Sequence, residues 1–338
     1  MLVQETMLLV PASEMQSAFS RILLKHGFTG DKAEKCAAIF TASSVDGVYT
    51  HGVNRFPRFI EYVLNNYVKP GAEPFFKHRA GCIEQWDGNF GPGPLNATFA
   101  TERAMELARE SGMGCVTLSN TNHWMRAGTY GWQAAKKGFA YIGFTNTIAN
   151  MPAWGAKDKR LGNNPLVIAL PYKDEAIVLD MAMSQYSFGA LELAKMKNEK
   201  LSVGGGFDKE GNLTKDPASI IESGRLLPVG FWKGAGLSLM LDMLAALLSG
   251  GLSTHEISRK EAEYSSQVFI AIDISKLGNQ STIPVLLENI IRDYHQSVAI
   301  DKESRIVYPG ERILETRRRN LEQGIPVLRQ VWDAIMQL

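Results

Sequence analysis

No GxGxxG segment occurs anywhere in this chain, so the usual glycine-rich turn that cradles a dinucleotide pyrophosphate is missing. The nearest candidates, Gly88-Asn-Phe-Gly91-Pro-Gly93 and Gly204-Gly-Gly206, have the wrong spacing. A GxxxxGK[ST] phosphate loop, an HExxH zinc helix and a GxSxG nucleophile elbow are absent as well, which removes P-loop, zincin and α/β-hydrolase chemistry. Cysteine is scarce: Cys36, Cys82 and Cys115 are odd in number, scattered and without CxxC spacing. They make neither a disulfide framework nor a metal site, and they suit a reducing, cytoplasmic compartment. No His, Cys, Asp or Glu group has metal-ligand spacing.

Charge of one sign is also lacking. Lys+Arg total 36 against 35 for Asp+Glu, a net charge of +1, so no global field gathers nucleic acid or an anionic membrane. The run Arg317-Arg318-Arg319 has no interleaved aromatics and reads as one solvated helix face. The start, MLVQETMLLV, has no basic region followed by a long apolar one and does not read as a signal peptide. The most apolar stretch, Gly236 to Leu248, is too short to span a bilayer and contains Asp242, so a buried helix is expected there.

What is present is ordinary globular material in two textures. Hydrophobic residues make up 45% of the chain, enough for a sizeable core. Apolar residues three and four apart predict two helices over 12–46, with Ser13 and Asp31 as candidate N-caps, and a third over about 55–67. From Gly81 short apolar runs alternate with helical stretches near 94–110 and 129–137. PLVIALP and AIVLDMAM read as adjacent strands, and VFIAIDI adds another at 268–274. Helical periodicity returns over 283–297 and 321–337. The expected fold is therefore α/β (α+β), divided into an N-terminal helical part (1–75), a mixed-sheet body (76–275) and a C-terminal helical part (276–338) packing back on the first. The Gly-rich segment 204–217 is too long for a simple turn and suits a lid or a partner contact.

Several polar groups sit where chemistry could use them. His51, followed by Gly52, belongs at a loop-to-helix junction, with Arg55 one turn on. An imidazole and a guanidinium so placed can face one small anion, the first as proton donor and the second as carboxylate clamp; a helix-capping surface histidine is the other reading. His123, in Asn120-Thr-Asn-His-Trp124, follows a strand where α/β proteins place ligand groups, or it is satisfied by backbone alone. Asn163 lies in a turn before a strand and offers an amide. Asp180 closes an apolar run and needs a partner if buried: a histidine would make it useful, and a helix cap is the alternative. Lys233, beside Trp232, could meet a phosphate or simply be solvated.

Longer segments carry a resemblance. GVYTHGVNRFPRFI, NHWMRAGTYGWQAA, MPAWGAKDKRLGNNPL, VLDMAMSQYSFG, GGFDKEGNLTKDP, LPVGFWKGAGLS and PGERILETRRRN together resemble the type-2 malate/lactate dehydrogenases, a non-Rossmann family of NAD(P)-dependent oxidoreductases. The resemblance spans residues 47–238 and 309–320. It implies a non-Rossmann NAD(P)-binding body and reduction of the ketone of a small 2-oxo acid, with a sugar-derived diketo acid ahead of malate, sulfolactate or ureidoglycolate. A non-catalytic sugar-acid binder is the remaining alternative.

It also implies His51 as proton donor, Asp180 as its acidic partner, and Arg55, Thr50, His123 and Asn163 at the substrate. Cofactor contacts would fall on Ala176, Ile177, Val178, Leu179, Asp180, Met181, Ala182, Trp232, Lys233, Gly310, Glu311 and Arg312. The cofactor would be NADH, with NADPH second, and the partner a second copy of the chain in a homodimer with the site near the interface. Thr50 stands where the family usually has Ser, and Asn163 where it favours Thr. In the proposed relay, Asp180 would raise the His51 pKa.

Overall fold

A computed structural model describes residues 7–259 and 264–338; the opening six residues, part of the stretch read above against a signal peptide, lie outside the described residues. The chain opens with strand β1 (Met7–Val10), then helices α1 (Ala12–Lys25), α2 (Gly30–Val45) and α3 (Phe56–Leu64). Their apolar stripes meet in one cluster that also takes in Val68, Met125, Ile325, Val327, Trp332 and Ile335. Aromatic rings form its centre: Phe19 stacks on Phe56 at 4.0 Å between centroids, and Phe40 meets Phe56 edge-on at 5.2 Å. Ser13 and Asp31 prove to lie inside the first turns, because Pro11 and Thr29 supply the extended N-cap backbone.

The body contains β2 (Phe75–Ala80), β3 (Ile83–Asp87), α4 (Gly93–Ser111), β4 (Met113–Thr121), α5 (Gly128–Ala135) and β5 (Phe139–Thr145). A short ribbon, β6 (Ala149–Pro152) with β7 (Lys159–Gly162), leads to the hairpin of β8 (Leu166–Tyr172) and β9 (Glu175–Met181), then to α6 (Phe188–Met196). The expected loop at 204–217 is instead built up. β10 (Gly206–Phe207), β11 (Leu213–Thr214), α7 (Pro217–Ser223) and β12 (Arg225–Leu226) make a small three-stranded sheet with a capping helix. α8 (Trp232–Ser249), α9 (Thr254–Ile257) and β13 (Ser265–Asp273) complete this part.

Seven strands form one mixed sheet in the order β2-β3-β4-β13-β5-β8-β9, antiparallel except for the β3–β4 pair. Its central strands are buried on both faces, and strand alternation sorts their side chains. Val116 and Phe269 face the layer of α4 and α5, whereas Cys115 and Val268 face α8. β9 is an edge strand, and that position matters for everything below.

α10 (Ile283–His295), α11 (Glu311–Gln323), β14 (Ile325–Leu328) and α12 (Arg329–Met336) end the chain. The single helix expected over 321–337 is interrupted, because β14 pairs antiparallel with β1 from Met7↔Leu328 to Val10↔Ile325. Four-residue strands leave too short a period for sequence pattern to separate from helix. α10 packs not on the N-terminal helices but beside the β8–β9 turn, where Ile291 and Tyr308 contact Tyr172.

Two further readings change. Arg317 is not a solvated surface cation: its guanidinium binds Asp46 at 2.6 and 3.0 Å and lies 4.6 Å over the Trp132 ring. α8 is buried along one side only, and Trp232, Met240, Met243 and Leu247 are each more than half exposed.

The aromatic cluster carries a direct test. Phe56→Ala should destabilise the chain by about 3–5 kcal/mol through loss of apolar burial and the cavity left behind. The check is the urea unfolding midpoint at constant slope, and an unchanged midpoint would contradict the packing described.

Candidate active site

The His51 segment is pinned before its side chains are placed. After α2 the chain makes a 3-10 turn at Tyr49–His51, and Val53 N donates to the buried Ser44 Oγ at 2.8 Å. Only glycine fits at position 52, because a Cβ there would lie 2.2 Å from that Oγ. Asn54 N donates to Tyr49 O at 3.0 Å, closing the loop just before α3. Arg55 then occupies the N-cap of α3, with Phe56 locked in the aromatic cluster.

Two imidazoles stack at this point. The His51 and His123 rings are 5.8 Å apart with an interplanar angle of 22°. Their hydrogen bonds give them different roles. Met125 N donates to His123 Nδ1 at 2.9 Å, so that nitrogen must be unprotonated and Nε2 carries the hydrogen. Burial, with the charges of Arg55, His51 and Arg58, holds the His123 pKa well below the histidine range. It is a fixed neutral donor. His51 Nδ1 instead meets Thr50 Oγ1 at 3.1 Å, and a hydroxyl oxygen can accept from a protonated ring. Of the two, only His51 has a partner for Nδ1 that allows both ring nitrogens to carry hydrogen.

The electrostatics correct one expectation. Asp180 does not raise the His51 pKa; burial, then Arg55, then Arg126 lower it to about 4. Among the described residues no hydrogen bond joins Asp180 to His51. The carboxylate instead accepts from Gly128 N, at the start of α5, at 2.7 Å. Asp180 is open to water but walled by protein, as in a cleft: this crowding pushes its pKa up, opposed by the Arg126 charge and the Gly128 N–H.

β9 is the spine on which the distant segments converge. Near its middle, Val178 N donates to Pro309 O at 3.0 Å. Gly310, at φ +94°, follows so closely that a Cβ would lie 3.2 Å from Val178 N. Farther along sits Asp180 with Gly128. Just beyond the strand, Met183 N donates to Asn163 O at 2.7 Å, while Val229 N donates to Met183 O at 2.8 Å. The second of these bonds brings the start of α8, with Trp232 and Lys233, to the end of β9. The chain then turns into α6, where Gly189 abuts the loop of the proton-donor candidate: a Cβ there would be 2.5 Å from Thr50 Cγ2.

The structure thus brings Thr50, His51, Arg55 and His123 together, and strings residues 176–182, 232–233 and 310–312 along or beside β9. Asn163 reaches the first group indirectly. Its Oδ1 accepts from Thr147 Oγ1 at 2.9 Å, and Thr147 and His123 line one pocket of about 20 Å³. Glu311 is engaged elsewhere, because its carboxylate accepts from Tyr308 N at 2.9 Å and sits 3.0 Å from His295 Nε2.

Arg126, Asp46 and Thr147 were not singled out from the chain. For Arg126 the available signal is a lone arginine inside the otherwise apolar turn Trp124-Met-Arg-Ala127. No group of three potential metal ligands occurs among the described residues.

The family model described as malate/L-lactate dehydrogenase matches residues 10–336. The chain belongs to the malate/L-lactate dehydrogenase family. A 2,3-diketo-L-gulonate reductase of Klebsiella pneumoniae is 45% identical over 331 residues, covering 97% of this chain and 99% of the relative. One of Pasteurella multocida is 46% identical over 326 residues, covering 96% and 98%. Among solved structures, the sulfolactate dehydrogenase of Methanocaldococcus jannaschii superposes with a TM-score of 0.89 at 26% identity, covering 97% of this chain and 95% of that one.

Membership of this dehydrogenase family makes the chain an oxidoreductase that uses a nicotinamide cofactor, and the residues around β9 fit one. The Ser184 hydroxyl is buried without a partner among the described residues, and Ser184 pairs with Pro228 in the segment leading into α8. That helix begins with no side-chain cap, and Lys233 lies in its first turn. An uncapped helix start, a cation and an orphan hydroxyl form a donor set suited to dinucleotide phosphates.

The contact of Gly189 with Thr50 makes a sharp test. Gly189→Ala should push Thr50 and the His51 ring out of place, lowering turnover by about 10²-fold for a displacement near 1 Å. The unfolding midpoint should move little, because α6 begins at the surface. Unchanged turnover in an NAD(P)H-oxidation assay would show that the contact does not position His51.

Proposed function

We propose that this chain passes hydride from NADH, or less favourably NADPH, to the ketone of a small 2-oxo acid, with 2,3-diketo-L-gulonate and its reduction to 3-keto-L-gulonate as the leading assignment. The single observation that carries the chemistry is the stacked pair of histidines with opposite hydrogen-bonding roles beside Arg55. The compound comes from the names of the two bacterial relatives at 45% and 46% identity. Malate, sulfolactate and ureidoglycolate dehydrogenation is the second reading, favoured by the sulfolactate enzyme that shares the fold. A non-catalytic sugar-acid binder is disfavoured, because a pure binder has no need of a histidine that can take and give a proton.

The bound nicotinamide supplies the hydride. Lys233, Trp232, the 176–182 strand and the 310–312 turn would hold the cofactor. Arg55 would clamp the substrate carboxylate and fix which face of the ketone is presented. His123 Nε2–H and the Asn163 amide would orient oxygen atoms of the substrate. His51 would donate its proton to the carbonyl oxygen as the carbon accepts hydride, turning the ketone into an alcohol. Thr50 would hold the imidazolium by accepting from Nδ1.

The low His51 pKa then acquires a purpose. In the free chain His51 is neutral at pH 7 because burial, Arg55 and Arg126 oppose its charge. A keto-acid carboxylate on Arg55 cancels part of that repulsion, so substrate and proton bind together. The exposed apolar side of α8, with Trp232, Met240, Met243 and Leu247, supports assembly as a homodimer next to the cofactor segments. Three free cysteines suit the cytoplasm, and no helix among the described residues is long and apolar enough to cross a membrane.

Two measurements test the reading. His51→Ala should lower turnover of 2,3-diketo-L-gulonate by about 10²–10⁴-fold while leaving NADH affinity unchanged, as expected for loss of a general acid. Near wild-type reduction by that variant would end the assignment. Binding of a 2-oxo acid to the NADH complex at pH 7 should take up a proton, measured as the dependence of binding heat on buffer ionisation enthalpy. Above the free-enzyme pKa of about 4, affinity should therefore fall as pH rises. His51→Ala should abolish the uptake.

A further inference from the structure

One buried cation beside the site acts in the chemistry above only as a charge opposing that of His51. Arg126 is 3% exposed and donates from Nη1 to the Asp46 carboxylate. Its Nε and Nη2 are buried with no partner among the described residues. Asp46 is not its counter-ion alone, because the same carboxylate receives Nε and Nη2 of Arg317 at 2.6 and 3.0 Å. Glu175 offsets part of the Arg317 charge at 3.3 Å, but it also binds Lys136 at 2.9 Å. One shared carboxylate therefore faces two guanidiniums, and positive charge is left over inside the protein. A buried charge left over demands an anion nearby.

The local backbone says which anion. Arg126 lies two residues before Gly128, whose N–H holds Asp180 at 2.7 Å, and Thr129 N donates to Arg126 O at 3.3 Å in the same turn. The turn that carries the guanidinium therefore also grips the Asp180 carboxylate. On the other side, Asp46 lies five residues before His51, at the end of α2.

We propose that Arg126 is a positioning residue for the reaction: a buried guanidinium, anchored by Asp46, that is the shared counter-charge through which Asp180 stays ionised and His51 stays neutral until substrate arrives. The inference rests on the proposed role of His51 as proton donor. Its electrostatic signs agree on both sides, since the Arg126 charge lowers the pKa of Asp180 against the effect of crowding and adds to burial and Arg55 in lowering that of His51. The other groups facing this pair are Arg55 and His123 on the His51 side and the Tyr141 phenol on the Asp180 side. None of them spans both.

The test is the pH profile of kcat/KM for 2-oxo acid reduction, with NADH binding followed by fluorescence. Loss of the positive charge in Arg126→Gln should raise both pKa values, moving the acid and alkaline limbs together toward higher pH by about one unit, the scale of a single nearby charge. Arg126→Lys should restore the wild-type window even if its peak is lower. Asp46→Asn, which leaves the cations less compensated, should displace both limbs the opposite way. This variant keeps the test open if Arg126→Gln does not fold.

A purely structural role would lower the rate of Arg126→Gln at every pH without displacing the limbs and would show no Lys rescue. Either of those results overturns the inference. If wild type reduces no 2-oxo acid, or His51→Ala is fully active, the proposed function itself fails. If wild type is active and His51 essential while the Arg126→Gln limbs stay in place, only the role of Arg126 falls.

Discussion

Asp46 receiving both Arg126 and Arg317 is the contact on which the site depends. It joins the end of α2, the turn before α5 and helix α11, three stretches separated by up to 271 residues. Burial pushes the Asp46 pKa up, but the hydrogen bonds and charges of Arg317 and Arg126 outweigh it, so the carboxylate stays ionised. Removing one member of a buried charged group typically costs about 3–5 kcal/mol, because the remaining charge is stranded. The ion group therefore acts as a registration device: it sets where the His51 loop sits relative to the sheet. The nearby aromatic cluster supplies the bulk of the burial, but apolar contact is non-directional and could not set that register alone.

β9 supplies the second constraint. An edge strand leaves one row of backbone groups without a sheet partner, a liability that proteins usually cover. Here the cover comes from distant segments. The 309–310 turn closes on Val178, and the segments carrying Asn163 and Val229 close on Met183. Under the proposed function, backbone groups along this edge strand, an uncapped helix start and a few cations would take over the work that a glycine-rich turn does in a Rossmann fold.

The two histidines show how environment divides labour between identical side chains. Both are crowded and both have lowered pKa values, yet one backbone N–H donated to His123 Nδ1 keeps that ring a neutral donor, while the Thr50 hydroxyl leaves His51 free to change state. Thr50 supplies that hydroxyl and carries a methyl group that a serine would lack. Its extra methyl is the atom that Gly189 packs against, so the α6 start has no side chain at that point.

Much of the fold was legible along the chain, because α1–α5, α10 and the β8–β9 pair carry strong local periodicity that a core-facing helix or strand must have. His51, Arg55, His123 and Asp180 stood out along the chain as candidates for chemistry, and the fold brings the first three together. The β1–β14 pairing was not legible, since four-residue strands at the two ends of a chain have no local signature and exist only through each other. The solvated reading of Arg317, the buried reading of α8 and the expected rise in the His51 pKa failed for the same reason. Residue type and spacing report what a side chain can do, whereas burial, charge balance and pKa depend on which distant groups arrive beside it. For His51 those groups are Arg55, four positions along the chain, and Arg126, seventy-five positions away, and only the folded chain makes them neighbours.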